Sequence, residues 1–587
     1  FRRVLFRSWY EPREACLPPE HARCLLRLSP AGADDAELRE FDLERGEFVA
    51  GGFEAPASRV TAAWLDADTV AIAHTVGEQP RTAAGWGAAV RLWRRGEPLT
   101  AAREVFRAEP TDAILQLVGV GTGMERRIVL ARAIDYSNFD ISLLAADGRI
   151  EKVALPRRLK PFGVLAMTGR HLVVQLAEEA EIEGRRHAAE TLLSYDTIGR
   201  PGKPRVGTIA TPGPEGVLSD AFTGVAATRD TVHFVLWRDL VPHLYSATLG
   251  TDGRWRKREV RAAAAGQSLR ITDGDRNGSD IVVTTTGFLT PTRSDILRTD
   301  GRQHAVAAET AVVDAARYVV EVREARAKDG VAIPYYLLRP RAAPVGKPMP
   351  VLMTGYGAFG VSVTPGYFDF AVGGRALKLW LERGGALALP AIRGGGEKGG
   401  AWHRAAMREK RLVSYDDFAA VTEALIASGT TTPAQLGVFG LSNGGLLSAT
   451  MGTRRPDLYG AIVSDVPLAD MLHYPRMGMG AAWMDEYGDP SDPAMAAVLG
   501  AYSPVQAVRE GVSYPPFLVT VSTEDNRVGP GHARKLAARL QEAGATAWLI
   551  EDDEGGHGVS DPLQRPELMA QRMTFLIDLL MPASRVR

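Results

Sequence analysis

The stretch GVFGLSNGGLLSA (437–449) sets Ser442 between two glycines in the pattern Gly-x-Ser-x-Gly. With 61 glycines in 587 residues the pattern can arise by accident, so it needs a setting and partners. The setting is a short apolar run, LGVFG, before the serine and a helical segment beginning near Gly444. A strand–turn–helix of this kind projects a hydroxyl from a tight turn. A serine hydroxyl attacks only with a base beside it, and the base needs an acid to orient it. Downstream, VTVSTEDNRV places Glu524 and Asp525 just past an apolar strand, and their spacing leaves both open as the acid. EDDEGGHGVS follows the last strand and sets His557 between glycines, as the base. His532, in a charged helical segment, is expected to face solvent.

Acyl transfer also needs donors for the tetrahedral oxyanion. One is the backbone N–H after the nucleophile, that of Asn443. For the second, two glycine-rich loops compete: TGYGAFG (354–360) and IRGGGEKGG (392–400). The first follows the first strand of its series, where an oxyanion loop belongs, and it offers the Tyr356 hydroxyl. The second lacks the lysine and Ser/Thr of a phosphate loop, so no nucleotide is assigned; no cofactor and no metal site is expected.

The elements that must position these groups fall into two grammars. Up to about residue 315 the chain is a series of short strand-like runs, such as DTVAIAHTV (68–76), HLVVQLAEEA (171–180), TVHFVLWRDL (231–240) and DIVVTTTGFLT (280–290), with Gly, Asp and Pro turns between them. This predicts an all-β domain over 1–315, and its length suits a propeller of about seven blades of about 40–50 residues. Over 316–587 apolar runs alternate with helical segments. PMPVLMTGYG, GALALPAIRGG, LGVFGLSNGG, GAIVSDV, PPFLVTVSTED and TAWLIEDD read as strands, and 414–428 and 531–544 as helices. That alternation predicts a mostly parallel sheet covered on both faces, an α/β-hydrolase domain, with its chemistry beyond the carboxyl ends of the strands.

Sixty-nine basic against 70 acidic residues, with no basic block, give no footprint for nucleic acid or an anionic membrane. No apolar run reaches the roughly 18 residues of a membrane span. Cys16 and Cys24, the only cysteines, are too few for a disulfide framework and read as plain core or surface residues. The opening FRRVLFRSWY, without methionine or an apolar stretch of signal length, reads as a fragment or a processed product.

In order, GYGAFGVSVTP (355–365), IRGGGEKGGAWH (392–403), GLSNGG (440–445), AAWMDEYGDP (481–490), EDNRV (524–528) and GGHG (555–558) resemble the signature segments of the prolyl oligopeptidase family of serine peptidases. GFLTPTRSDILRTDG (287–301) resembles the end of that family's propeller. The resemblance implies a seven-bladed propeller capping an α/β-hydrolase, with the active site between them. It implies Ser442 as nucleophile, Asp525 rather than Glu524 as orienting acid, His557 as base, and Tyr356 with the Asn443 N–H as oxyanion hole. Arg527 matches the substrate-binding arginine, Trp483 the aromatic that stacks on proline, and Phe359, Tyr487 and Val528 other walls of that pocket. Ala358 and Asn526 stand where many members carry glycine and aspartate. The chain is expected to begin inside the propeller, leaving the first blade incomplete.

The function expected is an oligopeptidase cleaving after proline in short or unstructured peptides, as a cytoplasmic monomer with no nucleic-acid or membrane partner. Competing readings are an isopeptidase, an arginine/lysine-specific oligopeptidase B-like enzyme, an esterase, or a propeller scaffold that has lost activity.

Overall fold

The structure, a computed structural model, describes residues 8–10, 16–18, 20–30, 35–121, 123, 126–135, 138–199, 204–218, 224–275, 278–298, 301–344, 346–368, 374–553, 555–558 and 566–581. The first part of the chain forms antiparallel sheets of four or five strands over 8–58, 61–107, 114–152, 159–210, 225–262 and 267–308. Inner strands such as Thr69–Ala73, His171–Leu176 and Thr231–Arg238 are buried at successive positions, so both faces of these sheets must be covered. Neighbouring sheets cover one another. Phe53 and Leu38 pack with Trp64 and Val70; further along, Val235 and Leu244 pack with Leu269 and Ile281. Each of five successive core clusters is shared by consecutive sheets, as between the blades of a propeller. Six such sheets are formed by the described residues; the seventh of the expectation is not among them. Residues 1–7 and 11–15, on which the expectation of an incomplete first blade bears, lie outside the described residues.

The second part is built on one eight-stranded sheet. Its strands are β1 (Tyr318–Arg326), β2 (Ala332–Pro340), β3 (Val351–Met353), β4 (Ala386–Pro390), β5 (Leu436–Leu441), β6 (Ala461–Asp465), β7 (Phe517–Ser522) and β8 (Ala547–Asp552). Their spatial order is β1-β2-β4-β3-β5-β6-β7-β8, antiparallel for β1–β2 and β2–β4 and parallel from β4 to β8. Strands β4, β6 and β7 are buried at every position, which is why they read as continuous apolar runs.

Val351 and Met353 face a cluster with helices α2 (Leu412–Ala427), α3 (Asn443–Arg454) and α4 (Gly531–Glu542). Leu352 faces the opposite cluster, under α1 (Leu377–Glu382) and α5 (Pro566–Leu580). The period-2 alternation of the strands thus assigns helices to both faces.

Two sequence expectations are corrected. Cys16 and Cys24 are joined in a disulfide, because the chain turns back between them and pairs the two in an antiparallel bridge, with the Leu17 N–H donating to the Arg23 carbonyl. His532 is buried, not solvent-facing. It shares the face of α4 that carries Ala533, Leu536 and Leu540, so helical spacing outweighs the charge of its neighbours.

The His532 Nδ1 accepts the N–H groups of Ala469 and Asp470 at 3.2 and 3.0 Å, which leaves the proton on Nε2. Burial pushes its pKa down to about 4, against an opposing pull from Asp470. Unfolded histidine titrates near ~6.5, so between about pH 6.5 and 4 the unfolded chain binds a proton that the folded chain refuses. The stability this residue contributes is complete above that window and is lost as pH falls through it, by up to about 3 kcal/mol. His532→Gln is therefore expected to narrow the difference between unfolding temperatures at pH 7 and pH 5. His233, lowered in the same way, remains in both proteins and leaves the comparison intact. An unchanged difference would contradict the burial argument.

Candidate active site

Ser442 ends β5 and begins α3 with φ 61° and ψ −117°. For a non-glycine residue this conformation costs on the order of 1–3 kcal/mol, so its surroundings must impose it. The Ser442 N–H donates to the Asp465 carbonyl on β6 at 2.9 Å, and its own carbonyl accepts the Leu446 N–H at 3.0 Å. Both flanking glycines are demanded by close backbone. A Cβ on Gly440 would lie 1.8 Å from the Gly444 carbonyl oxygen, and one on Gly444 2.8 Å from that of Gly355. The motif is a built elbow, and Ser442 stands partly exposed at the carboxyl ends of the parallel strands.

Asp525 lies past the end of β7 and is 1% exposed, whereas Glu524 is exposed. One carboxylate oxygen accepts the N–H groups of Arg527 and Val528 at 3.0 and 2.9 Å; the other meets His557 Nδ1 at 2.9 Å. Burial pushes the Asp525 carboxyl up, but His557 and those two N–H groups outweigh it and hold it below the usual range. His557 sits in the turn Gly556–Gly558 beyond β8. With Nδ1–H given to the carboxylate, its Nε2 is the nitrogen left to act as a base.

The loop 354–360 follows β3 and brings the Tyr356 hydroxyl beside Ser442. Burial raises the Tyr356 pKa, while the neighbouring Ser442 hydroxyl and the positive charge of Arg527 act the other way. Asn443 opens α3, and N–H groups in a first helical turn have no partner within the helix. Its side chain is buried. Nδ2 donates to the Tyr356 carbonyl at 2.6 Å, and Oδ1 accepts from Tyr487 Oη at 2.7 Å and from Arg411 Nη2 at 2.9 Å. The competing loop 392–400 plays a supporting part. Arg393 is held by Asp417, and Gly394 lies against the Gly357 carbonyl too closely for any side chain.

Phe359 and Tyr487 meet edge to face at 5.4 Å, and Val528 is fully buried beside Asp525. Trp483 is half-buried and packs with Met479 and Ala482 against Ala84, Trp86, Ala113 and Ile114 of the blade region. Arg527 is exposed and makes no ion pair among the described residues. The blades also reach the acid loop, since Arg59 Nη2 donates to the Asn526 carbonyl at 2.8 Å. No helix among the described residues is long and apolar enough to cross a membrane, and no three His, Cys, Asp or Glu side chains among them cluster as metal ligands.

Antiparallel blades set against an α/β-hydrolase sheet with a serine elbow define a two-part serine hydrolase. Residues 373–582 match the Prolyl oligopeptidase family. Over 566 residues the chain is 32% identical to Uncharacterized peptidase y4nA of Sinorhizobium fredii, covering 95% of this chain and 76% of that one. It is 32% identical over 306 residues to a prolyl endopeptidase of Elizabethkingia miricola, covering 51% of this chain and 42% of the relative. The fold is shared with the solved structure of a post-proline cleaving enzyme from Rickettsia typhi, at a TM-score of 0.90 and 24% identity, over 99% of this chain and 84% of that one. The chain belongs to the prolyl oligopeptidase family and is a serine-type peptidase.

Arg411, Glu486, Arg59 and Trp86 escaped sequence reading. They act through contacts between distant segments, and only AAWMDEYGDP, which contains Glu486, lay in a recognisable motif. The elbow itself is testable. Gly440→Ala forces the start of α3 away from β5, so slower labelling of Ser442 by a fluorophosphonate and a lower unfolding temperature are expected together, an overpacking cost of about 1–3 kcal/mol or more. Normal labelling at an unchanged unfolding temperature would show that the close approach is not required.

Proposed function

We propose that the protein hydrolyses short or unstructured peptides on the carboxyl side of proline through an acyl-enzyme. The observation that carries this reading is the elbow serine, beside Tyr356, at the same strand-end edge as the hydrogen-bonded Asp525–His557 pair. Ser442 Oγ attacks the scissile carbonyl and gives its proton to His557 Nε2; Asp525 holds the imidazole tautomer and balances its positive charge. The carbonyl oxygen, now negative, takes the Tyr356 hydroxyl and the Asn443 N–H as donors. His557 then protonates the leaving amine, and water, activated by the same base, releases the proline-ended acyl group.

Trp483, Phe359, Tyr487 and Val528 form the apolar slot for the proline ring, and Arg527, which makes no ion pair among the described residues, holds a substrate carbonyl. Acidic side chains that would select arginine or lysine are already engaged nearby. Asp485 pairs with Arg158 of the blade region, and Glu486 with Arg411 and His403. This favours proline over a basic residue. In the same reading, 1–315 is a propeller of seven-bladed type that admits only small peptides, and 316–587 is the catalytic domain.

Fluorophosphonate labelling is expected on the wild type and not on Ser442→Ala; labelling that survives the substitution would sink the nucleophile assignment. Among blocked dipeptide amides with Pro, Ala, Arg or Lys at the cleavage position, the proline substrate should have the highest kcat/KM. Trp483→Ala is expected to lower that value about tenfold or more while leaving a simple ester nearly unaffected. A preference for arginine would overturn the pocket assignment.

A further inference from the structure

The two donors of the proposed oxyanion hole belong to segments far apart in sequence, the loop after β3 and the first turn of α3. Catalysis by such donors depends on their standing in place before charge develops. One buried cation bridges them. Arg411, just before α2, is 0% exposed. Its Nη1 donates to the Gly357 carbonyl at 2.9 Å, and its Nη2 to Asn443 Oδ1, also at 2.9 Å. Asn443 Nδ2 returns to the Tyr356 carbonyl at 2.6 Å, closing a ring of hydrogen bonds through both segments. Two donors on Oδ1 and a carbonyl on Nδ2 leave the Asn443 amide a single satisfied orientation.

We propose that Arg411 is a positioning residue for the oxyanion hole, clamping the loop of Tyr356 and Gly357 to Asn443 with one rigid guanidinium. The proposal rests on the reading of Tyr356 and Asn443 as the oxyanion donors. Only a planar fork fixes two acceptors at a set separation; an ammonium is a point charge on a flexible stem. The charge is balanced in place. Glu486 Oε1 lies 3.3 Å from Arg411 Nη1, and its other oxygen meets His403 Nε2 at 2.6 Å. The guanidinium also stands over the Tyr487 and Tyr415 rings, at 5.3 and 5.6 Å from their centroids. At the Tyr356 hydroxyl the charge of Arg411 is offset by that of Glu486, so the clamp acts through position rather than potential.

Removing Arg411 alone would strand the Glu486 carboxylate in the interior, so the principal variant is Arg411→Lys, with Arg411→Met/Glu486→Gln as a second, charge-neutral one. Each is compared with the wild type, Tyr356→Phe, the combination with Tyr356→Phe, and Ser442→Ala, on a blocked dipeptide amide with proline at the cleavage position. Tyr356→Phe is expected to lower kcat about 10²-fold, and Arg411→Lys about 10-fold to 10²-fold, with KM within about threefold. Affinity for the matching peptide aldehyde, which forms a tetrahedral adduct on serine, should fall in step with kcat/KM.

In the Tyr356→Phe background the same lysine substitution should cost less than about threefold, because the donor it positions is gone. Wild-type kcat in Arg411→Lys, a loss confined to KM, or an equal loss in both backgrounds would overturn the clamp while leaving the oxyanion hole standing. Hydrolysis surviving in Ser442→Ala, or unimpaired in Tyr356→Phe, would instead overturn the functional reading and the clamp with it. If the lysine variant does not fold, the charge-neutral pair is read by the same criteria.

Discussion

Everything at the strand ends depends on one residue held where it would not rest by itself. Ser442 adopts φ 61° and ψ −117° because β5 must stop and α3 must begin within a single residue. Its N–H remains in the β6 ladder while its carbonyl already serves the helix. With Gly440 against the Gly444 carbonyl and Gly444 against that of Gly355, the helix starts hard against the end of the strand and the loop after β3. The strain is local, and its opposing force is spread through a sheet whose central strands are wholly buried.

Much of this was legible in the sequence, for reasons tied to particular residues. The apolar runs at Val351–Met353, Leu436–Leu441 and Phe517–Ser522 read as strands because a strand buried on both faces carries no polar alternation. Ser442 and Asp525 could be picked out as candidates because each follows such a strand, and His557 because it follows the last, more exposed strand, in the order the fold demands. Spacing alone did not choose between Glu524 and Asp525. The choice depends on which carboxylate turns inward to the N–H groups of Arg527 and Val528, a property of the turn.

Side-chain networks left no periodic trace. Arg411 stands in REKRLV, a stretch that reads as surface charge, and its burial follows only from the convergence of Gly357, Asn443 and Glu486. His532 shows the converse. Its spacing from Leu536 and Leu540 already placed it on the apolar face of α4, and attention to the charged neighbours hid that. The bond between Cys16 and Cys24 turns on the register of a short return of chain, which a count of cysteines does not contain.

The helix Met484–Tyr487 joins the blade region to the site. Its four residues follow Trp483, which packs with Ala482 against the cluster of Ala84 and Ala113 in the blade region. Asp485 is paired with Arg158, again from the blades, while Glu486 balances Arg411 beneath the oxyanion loop. Tyr487 lies against Phe359 and donates to Asn443. One turn of helix therefore touches the blades, the proposed apolar slot and the support of the proposed oxyanion donors. A shift of that turn changes all three contacts at once, because close-packed interiors transmit displacement rather than absorb it. The proposed substrate wall and the frame behind the proposed oxyanion donors are mechanically one part, and the blade region grips that part directly.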